Sequence, residues 1–110
     1  MKDILFDSDV LIDHLRGVKA AQSFFESAER NSVLYLSVVP LTEIYSGKDT
    51  REPQKFKEVE KLVGNFEISL ITSSIAKTAG LLRRDYQKPF ADMLIAATVL
   101  EYGFIWLPGM

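Results

Sequence analysis

The sequence predicts an α/β domain built on a central, mainly parallel sheet of four strands. Three observations carry that prediction. Short runs rich in aliphatic and aromatic residues recur at Ile4 to Phe6, Val33 to Val39, Phe66 to Ile71 and Phe104 to Leu107. Between them lie longer stretches whose apolar residues repeat at helical spacing, and parallel strands need such crossovers to be joined. Glycines stand where helical stretches stop, at Gly17, Gly47 and Gly103.

Each element has a local reason. The run Ile4-Leu5-Phe6 stops at Asp7-Ser8-Asp9, and Val10 to Arg16 then reads as a helix closed by Gly17. Val18 to Arg30 is a second helix, with Ala20, Phe24 and Ala28 beside Ala21 and Phe25 on one stripe. Val33 to Val39 reads as a buried strand, and Pro40 fits the first turn of the next helix, where no backbone donor is required. Arg51 to Val63 is charged but carries Phe56, Val59, Leu62 and Val63 at helical spacing, and the Gly47-Lys48-Asp49-Thr50 loop before it is the expected flexible point. Thr72-Ser73-Ser74 offers N-caps for a helix reaching about Tyr86. Ala91 to Tyr102 is almost wholly apolar, which predicts a buried helix, and Phe104 to Leu107 supplies the fourth strand.

Composition bounds the chemistry. With 110 residues there is room for one domain, and 47% hydrophobic with 25% charged residues is ordinary for a packed core. Cysteine is absent and His14 stands alone, so thiolate nucleophiles and cysteine- or histidine-rich zinc sites are excluded. A metal held here would be held by oxygen, which favours magnesium or manganese. The net charge of −2 argues against nucleic-acid binding through bulk positive charge, although local basic residues can still hold phosphate. The opening MKDILFDSD is too acidic for a secretory signal and no apolar run is long enough to span a membrane, so the expected location is the cytoplasm.

Four carboxylates are expected on one edge of this sheet. Asp7 and Asp9 follow the first strand and Glu43 follows the second, in the expected first turn of its helix. The helix opening near Asp92 leads through Gly103 into the fourth strand; if that strand is parallel, Asp92 lies at the carboxyl edge too, where open parallel sheets bind ligands. Carboxylates so crowded stay ionised only with a cation among them. A divalent ion would acidify a bound water and stabilise an in-line phosphoryl displacement. Each acid also has a structural role to weigh: Asp9 as the N-cap of the first helix, Glu43 and Asp92 as first-turn acids favoured by the helix dipole. Asp13 can pair with Arg16, and His14 is expected at the surface. Arg83, Arg84 and Lys88 precede Asp92 and are candidate phosphate contacts or simply a solvated face.

From Ile4 to about Leu107 the sequence resembles the PIN-domain proteins, and most of all the VapC-like toxin ribonucleases of toxin–antitoxin pairs. Three segments carry the likeness in order: ILFDSDVLIDHLRG, SVVPLTEIYSG and PFADMLIAATVLEYG. The resemblance implies a three-layer PIN-like domain over residues 1–110 and an endoribonuclease dependent on Mg2+ or Mn2+. It makes Asp7, Glu43 and Asp92 the catalytic metal-binding acids, with Ser8 and Asp9 as supporting polar residues. Metal-bound water would leave a 5′-phosphate and a 3′-hydroxyl on RNA. It also implies a homodimer and a cognate antitoxin as partner. The family pattern continues past the fourth strand with a further acidic residue and a fifth strand, whereas this sequence reads FIWLPGM, with no acid after Glu101. The resulting expectation is a C-terminally shortened domain, short of one ligand and with an uncovered strand edge.

Two other readings compete. FDSDVLID also resembles the strand-ending D-x-D of haloacid-dehalogenase-like phosphatases, with Asp7 as nucleophile and Asp9 as acid/base, but Val10-Leu11 stands where that family has Gly-Thr. The second is a catalytically impaired PIN-like module that binds antitoxin or nucleic acid. Phe104, Ile105, Trp106 and Leu107, with the Phe56, Val59 and Val63 stripe, predict self-association.

Overall fold

The computed structural model describes residues 2–107. Strand β1 (Lys2–Phe6) leads into α1 (Ser8–Leu15) and α2 (Lys19–Asn31), and β2 (Ser32–Ser37) into α3 (Val38–Tyr45). A single 3-10 turn at Lys48–Arg51 precedes α4 (Pro53–Val63). Then follow β3 (Glu67–Ser69), α5 (Ser73–Tyr86), α6 (Phe90–Tyr102) and β4 (Ile105–Leu107). The strands pair in the order β3-β2-β1-β4, every pair parallel, which is the α/β class and strand number that the sequence predicts. Pro108-Gly109-Met110, which follow the last strand, lie outside the described residues.

Strand alternation divides the core. Ile4 and Phe6 of β1 pack with Leu34 and Leu36 of β2 beneath α1, α2 and α4, where Val10, Leu11, Phe25, Val59, Leu62 and Phe66 are also buried. Leu5, fully buried, points to the opposite face and is in register with Tyr35 and Trp106. Trp106 in turn borders Leu82 of α5 and Met93, Ala96 and Val99 of α6, so these two helices cover that second face. Between them a smaller buried set forms from Ile75, Ala79 and Ala97.

Several local expectations are corrected. Val38 and Val39 belong to α3 rather than to a strand, because the buried Ser37 hydroxyl accepts from the Val39 amide at 3.2 Å and caps the helix there. Helix α6 is not a buried helix: Ile95, Ala97 and Thr98 are buried, but Phe90, Leu100 and Tyr102 face solvent. The Gly47–Thr50 loop is an ordered turn in which the Thr50 hydroxyl lies 2.6 Å from the Gly47 carbonyl. His14 is half-buried rather than fully at the surface; its ring packs 4.9 Å from Phe25, and buried Nδ1 has no partner among the described residues. No Asp13–Arg16 ion pair forms among the described residues. Gly17 and Gly103 do end their helices, at φ of +82° and +69°, where a side chain would be strained. Val59 and Leu62 of the α4 stripe are spent on the domain's own core, leaving Phe56 exposed against Tyr45.

Candidate active site

Asp7 sits at the turn from β1 into α1, in extended backbone geometry (φ −88°, ψ 158°), and it is Asp7, not Asp9, that caps this helix. Its Oδ1 accepts from the Ser8 amide at 2.7 Å and lies 3.4 Å from the Ser8 hydroxyl. That hydroxyl is also 3.3 Å from Oε1 of Glu43. A serine has a single proton to donate, so buried Ser8 can serve either carboxylate and holds the two together. Glu43 reaches this point from the second turn of α3, one turn later than the sequence predicts, because capping at Ser37 starts the helix earlier.

Asp9 and Asp92 complete the edge. Both are exposed, in the first turns of α1 and α6. The Asp7 carboxyl is pushed above its ordinary value, chiefly by burial, with the negative charges of Asp9 and then Asp92 adding to the effect and the Ser8 amide opposing it. The field of Asp92 at Asp7 brings the start of α6 to the ends of β1 and β2, as the parallel placement of β4 requires. The ion pairs among the described residues, Lys55–Glu58 and Arg84–Asp85, leave all four acids without a basic partner.

The donor set is oxygen throughout, which suits a hard divalent cation. As the side chains stand, no three carboxylates or imidazoles among the described residues are gathered closely enough to hold one metal ion. What the geometry provides is a half-buried aspartate tied through Ser8 to Glu43, with a third acid within electrostatic reach.

The basic candidates lie on the far side of Asp92 in sequence. Arg84 is engaged by its neighbour Asp85 at 2.8 and 3.1 Å. Arg83 lies over the ring of Phe90, its guanidinium carbon 5.6 Å from the ring centroid, and Lys88 is exposed. Sequence reasoning missed Phe90, although an exposed aromatic between Lys88-Pro89 and Asp92 was a visible signal.

Against known proteins, the sequence pattern of the PIN domain matches residues 4–107. The chain belongs to the PIN-domain family. It is 42% identical over 100 residues to ribonuclease VapC10 of Mycobacterium tuberculosis, covering 86% of this chain and 73% of that protein. Its fold is shared with solved toxin–antitoxin structures. One is a toxin–antitoxin complex from Klebsiella pneumoniae (TM-score 0.82, 22% identity, 96% of this chain and 84% of that one). Another is VapBC2 from Rickettsia felis bound to a DNA fragment of its promoter (TM-score 0.81, 14% identity, 96% and 86%). The PIN assignment disposes of the phosphatase alternative for FDSDVLID.

Proposed function

We propose that this PIN-domain protein is a VapC-like endoribonuclease, the toxin of a toxin–antitoxin pair, that hydrolyses RNA phosphodiesters with Mg2+ or Mn2+. The observation that carries the reading is the 42% identity to a relative named a ribonuclease, beside a PIN-domain match over residues 4–107, a span that contains Asp7, Glu43 and Asp92 in order. Asp7, Glu43 and Asp92 would hold the metal ion, and Ser8 and Asp9 support them. Bound there, the ion would supply an acidified water and a counter-charge for the phosphate.

The chain's own residues set the conditions for that. Burial and the like charges of Asp9 and Asp92 raise the proton affinity of Asp7, so a cation bound there would favour its ionised form. The Ser8 hydroxyl lies within hydrogen-bond reach of both Asp7 and Glu43 and donates to one or the other, which keeps the two carboxylates close together. Asp7 is itself the N-cap of α1, so its position is locked to the end of the sheet's central strand β1. Arg83 and Lys88 would draw in a phosphate backbone that the acids alone would repel.

An antitoxin is the expected protein partner, in keeping with the complexes named for the structural neighbours. A homodimer and a cytoplasmic location complete the proposal; no helix among the described residues is long and apolar enough to cross a membrane. The test is incubation of the purified chain with single-stranded RNA in magnesium, in manganese and in chelator. Cleavage in either metal, its loss in chelator and products ending in 5′-phosphate are expected. Tight RNA or antitoxin binding without cleavage would instead make the protein a binding module.

A further inference from the structure

A second concavity, of about 610 Å³, opens between α5 and α6. Its floor is made of small side chains, including Ala79 and Gly80, and its rim carries Arg83, Lys88 and Phe90. The Phe90 ring is 62% exposed even though Arg83 lies over it. Neither Arg83 nor Lys88 has a carboxylate within ion-pair distance among the described residues. In a chain of net charge −2, this places unneutralised positive charge and an open aromatic face together. On α6, Phe90 and Met93 border the cleft while Asp92, between them, belongs to the carboxylate edge.

We infer that this cleft is a nucleotide subsite, in which Phe90 stacks one unpaired base of single-stranded RNA and Arg83 and Lys88 hold the adjoining phosphates. The inference rests on the ribonuclease reading above and deepens it, since a strand stacked on Phe90 would be held at the start of α6, in the same turn that carries Asp92. An aromatic flanked by cations is the pairing that binds single strands without a demand for sequence, because every base offers a π-face and every nucleotide a phosphate. A protein partner, the other macromolecule such a cleft could face, would leave the two cations needing acidic matches. Single-stranded RNA meets both the ring and the charges.

Gly80 provides a clean test. A Cβ built there meets nothing within 4 Å and the residue lines the cleft from inside α5, so a side chain has room to start there and replaces a glycine with a better helix former. Binding of a fluorescently labelled ten-nucleotide single-stranded RNA would be followed by anisotropy in chelator, so that nothing is cleaved, with thermal melts of each variant. Phe90→Ala should weaken binding about 5- to 100-fold, the range for losing one stacked base, while Phe90→Trp restores it. Gly80→Leu should weaken binding comparably with a melting temperature no lower than that of the parent. Arg83→Gln and Lys88→Gln should each flatten the salt dependence by about 0.7 in the log–log slope.

Parent-like RNA affinity in both Phe90→Ala and Gly80→Leu would overturn the subsite, as would a parent chain that binds no RNA. Loss of self-association in those variants with RNA binding intact would overturn it too, by showing a protein contact. The two readings fail separately. A chain that cleaves RNA but is indifferent to Phe90 loses only the subsite, and one that binds through Phe90 yet never cleaves loses only the catalysis.

Discussion

On the α1, α2 and α4 side of the sheet, fully buried Phe6 meets the rings of Phe24, Phe25 and Phe66 at centroid distances between 5.3 and 6.1 Å. On the α5 and α6 side the buried set between the helices shrinks to Ile75, Ala79 and Ala97, while Leu81, Tyr86, Phe90 and Leu100 face water. Both layers cover the same four strands, yet one is packed as an interior and the other is half surface. The densely packed side holds β1 and β2 in place, and with them the turns that carry Asp7 and, through Ser37, Glu43. The thin side contributes Asp92, the unpaired cations and the exposed aromatic. Buried apolar packing is concentrated on one face and exposed apolar and basic side chains on the other.

That contrast sets the scale of the expected effects. Phe6→Ala should be the most damaging, costing about 3–5 kcal/mol in urea unfolding, the range for truncating a buried phenylalanine. Leu100→Ala, at a position 67% exposed, should change stability by no more than about 0.5 kcal/mol in the isolated chain. A cost above about 1.5 kcal/mol at Leu100 would mean that α6 is covered in solution. Light scattering over a dilution series addresses the same point: with both side chains facing water, the paired substitution of Leu81 and Leu100 by serine should leave the mass unchanged, and a shift towards the monomer would show that this face is covered.

A moderate effect is expected at the edge where the two faces meet. Because the folded-state value of Asp7 is raised, its charged form opposes folding at neutral pH; the stability it contributes is present below the ordinary carboxylate range and is lost as pH rises through the raised value. In chelator, Asp7→Asn should therefore melt a few degrees above the parent at pH 7, with the gap closing as pH falls towards 4. Added Mg2+ should raise the melting temperature of the parent alone. A small effect belongs to Tyr45, whose hydroxyl donates to Glu60 at 2.8 Å. Burial and that hydrogen bond push the phenol up to about 12, so Tyr45→Phe should cost about 1 kcal/mol or less below pH 10, and the difference should fade between pH 10 and 12.

Much of this molecule was legible from its residues. Alternating β-rich runs and helical periods gave the parallel sheet, and Gly17 and Gly103 marked helix ends that the backbone then required. The acids at Asp7, Glu43 and Asp92 followed from their places after strands and at a helix start. What misled was the weight given to side-chain type over capping: Val38 and Val39 favour strands in general, but Ser37 turns the chain into a helix before them. The apolar run of α6 read as buried because composition alone does not say how many neighbours a helix will have. His14 and Ser8 depend on contacts across the fold, with Phe25 and Glu43, that no local pattern encodes. The pairing of Arg83 with Phe90 bridges the end of α5 and the start of α6, and hinges on Gln87 adopting left-handed backbone geometry at φ 52°.

The central claim is that the acidic edge at the ends of β1 and β2 cuts RNA, and the most direct measurement compares the cleavage rate of the parent chain with that of Asp7→Asn in magnesium. Asparagine keeps the shape and the helix-capping ability of the residue while removing its charge. The rate should fall by at least about a hundredfold, more than the loss of a partner outside the metal's own ligands, with the melting temperature not lowered. Cleavage by Asp7→Asn at the parent rate, still dependent on magnesium, would contradict the claim and place the reaction elsewhere on the chain.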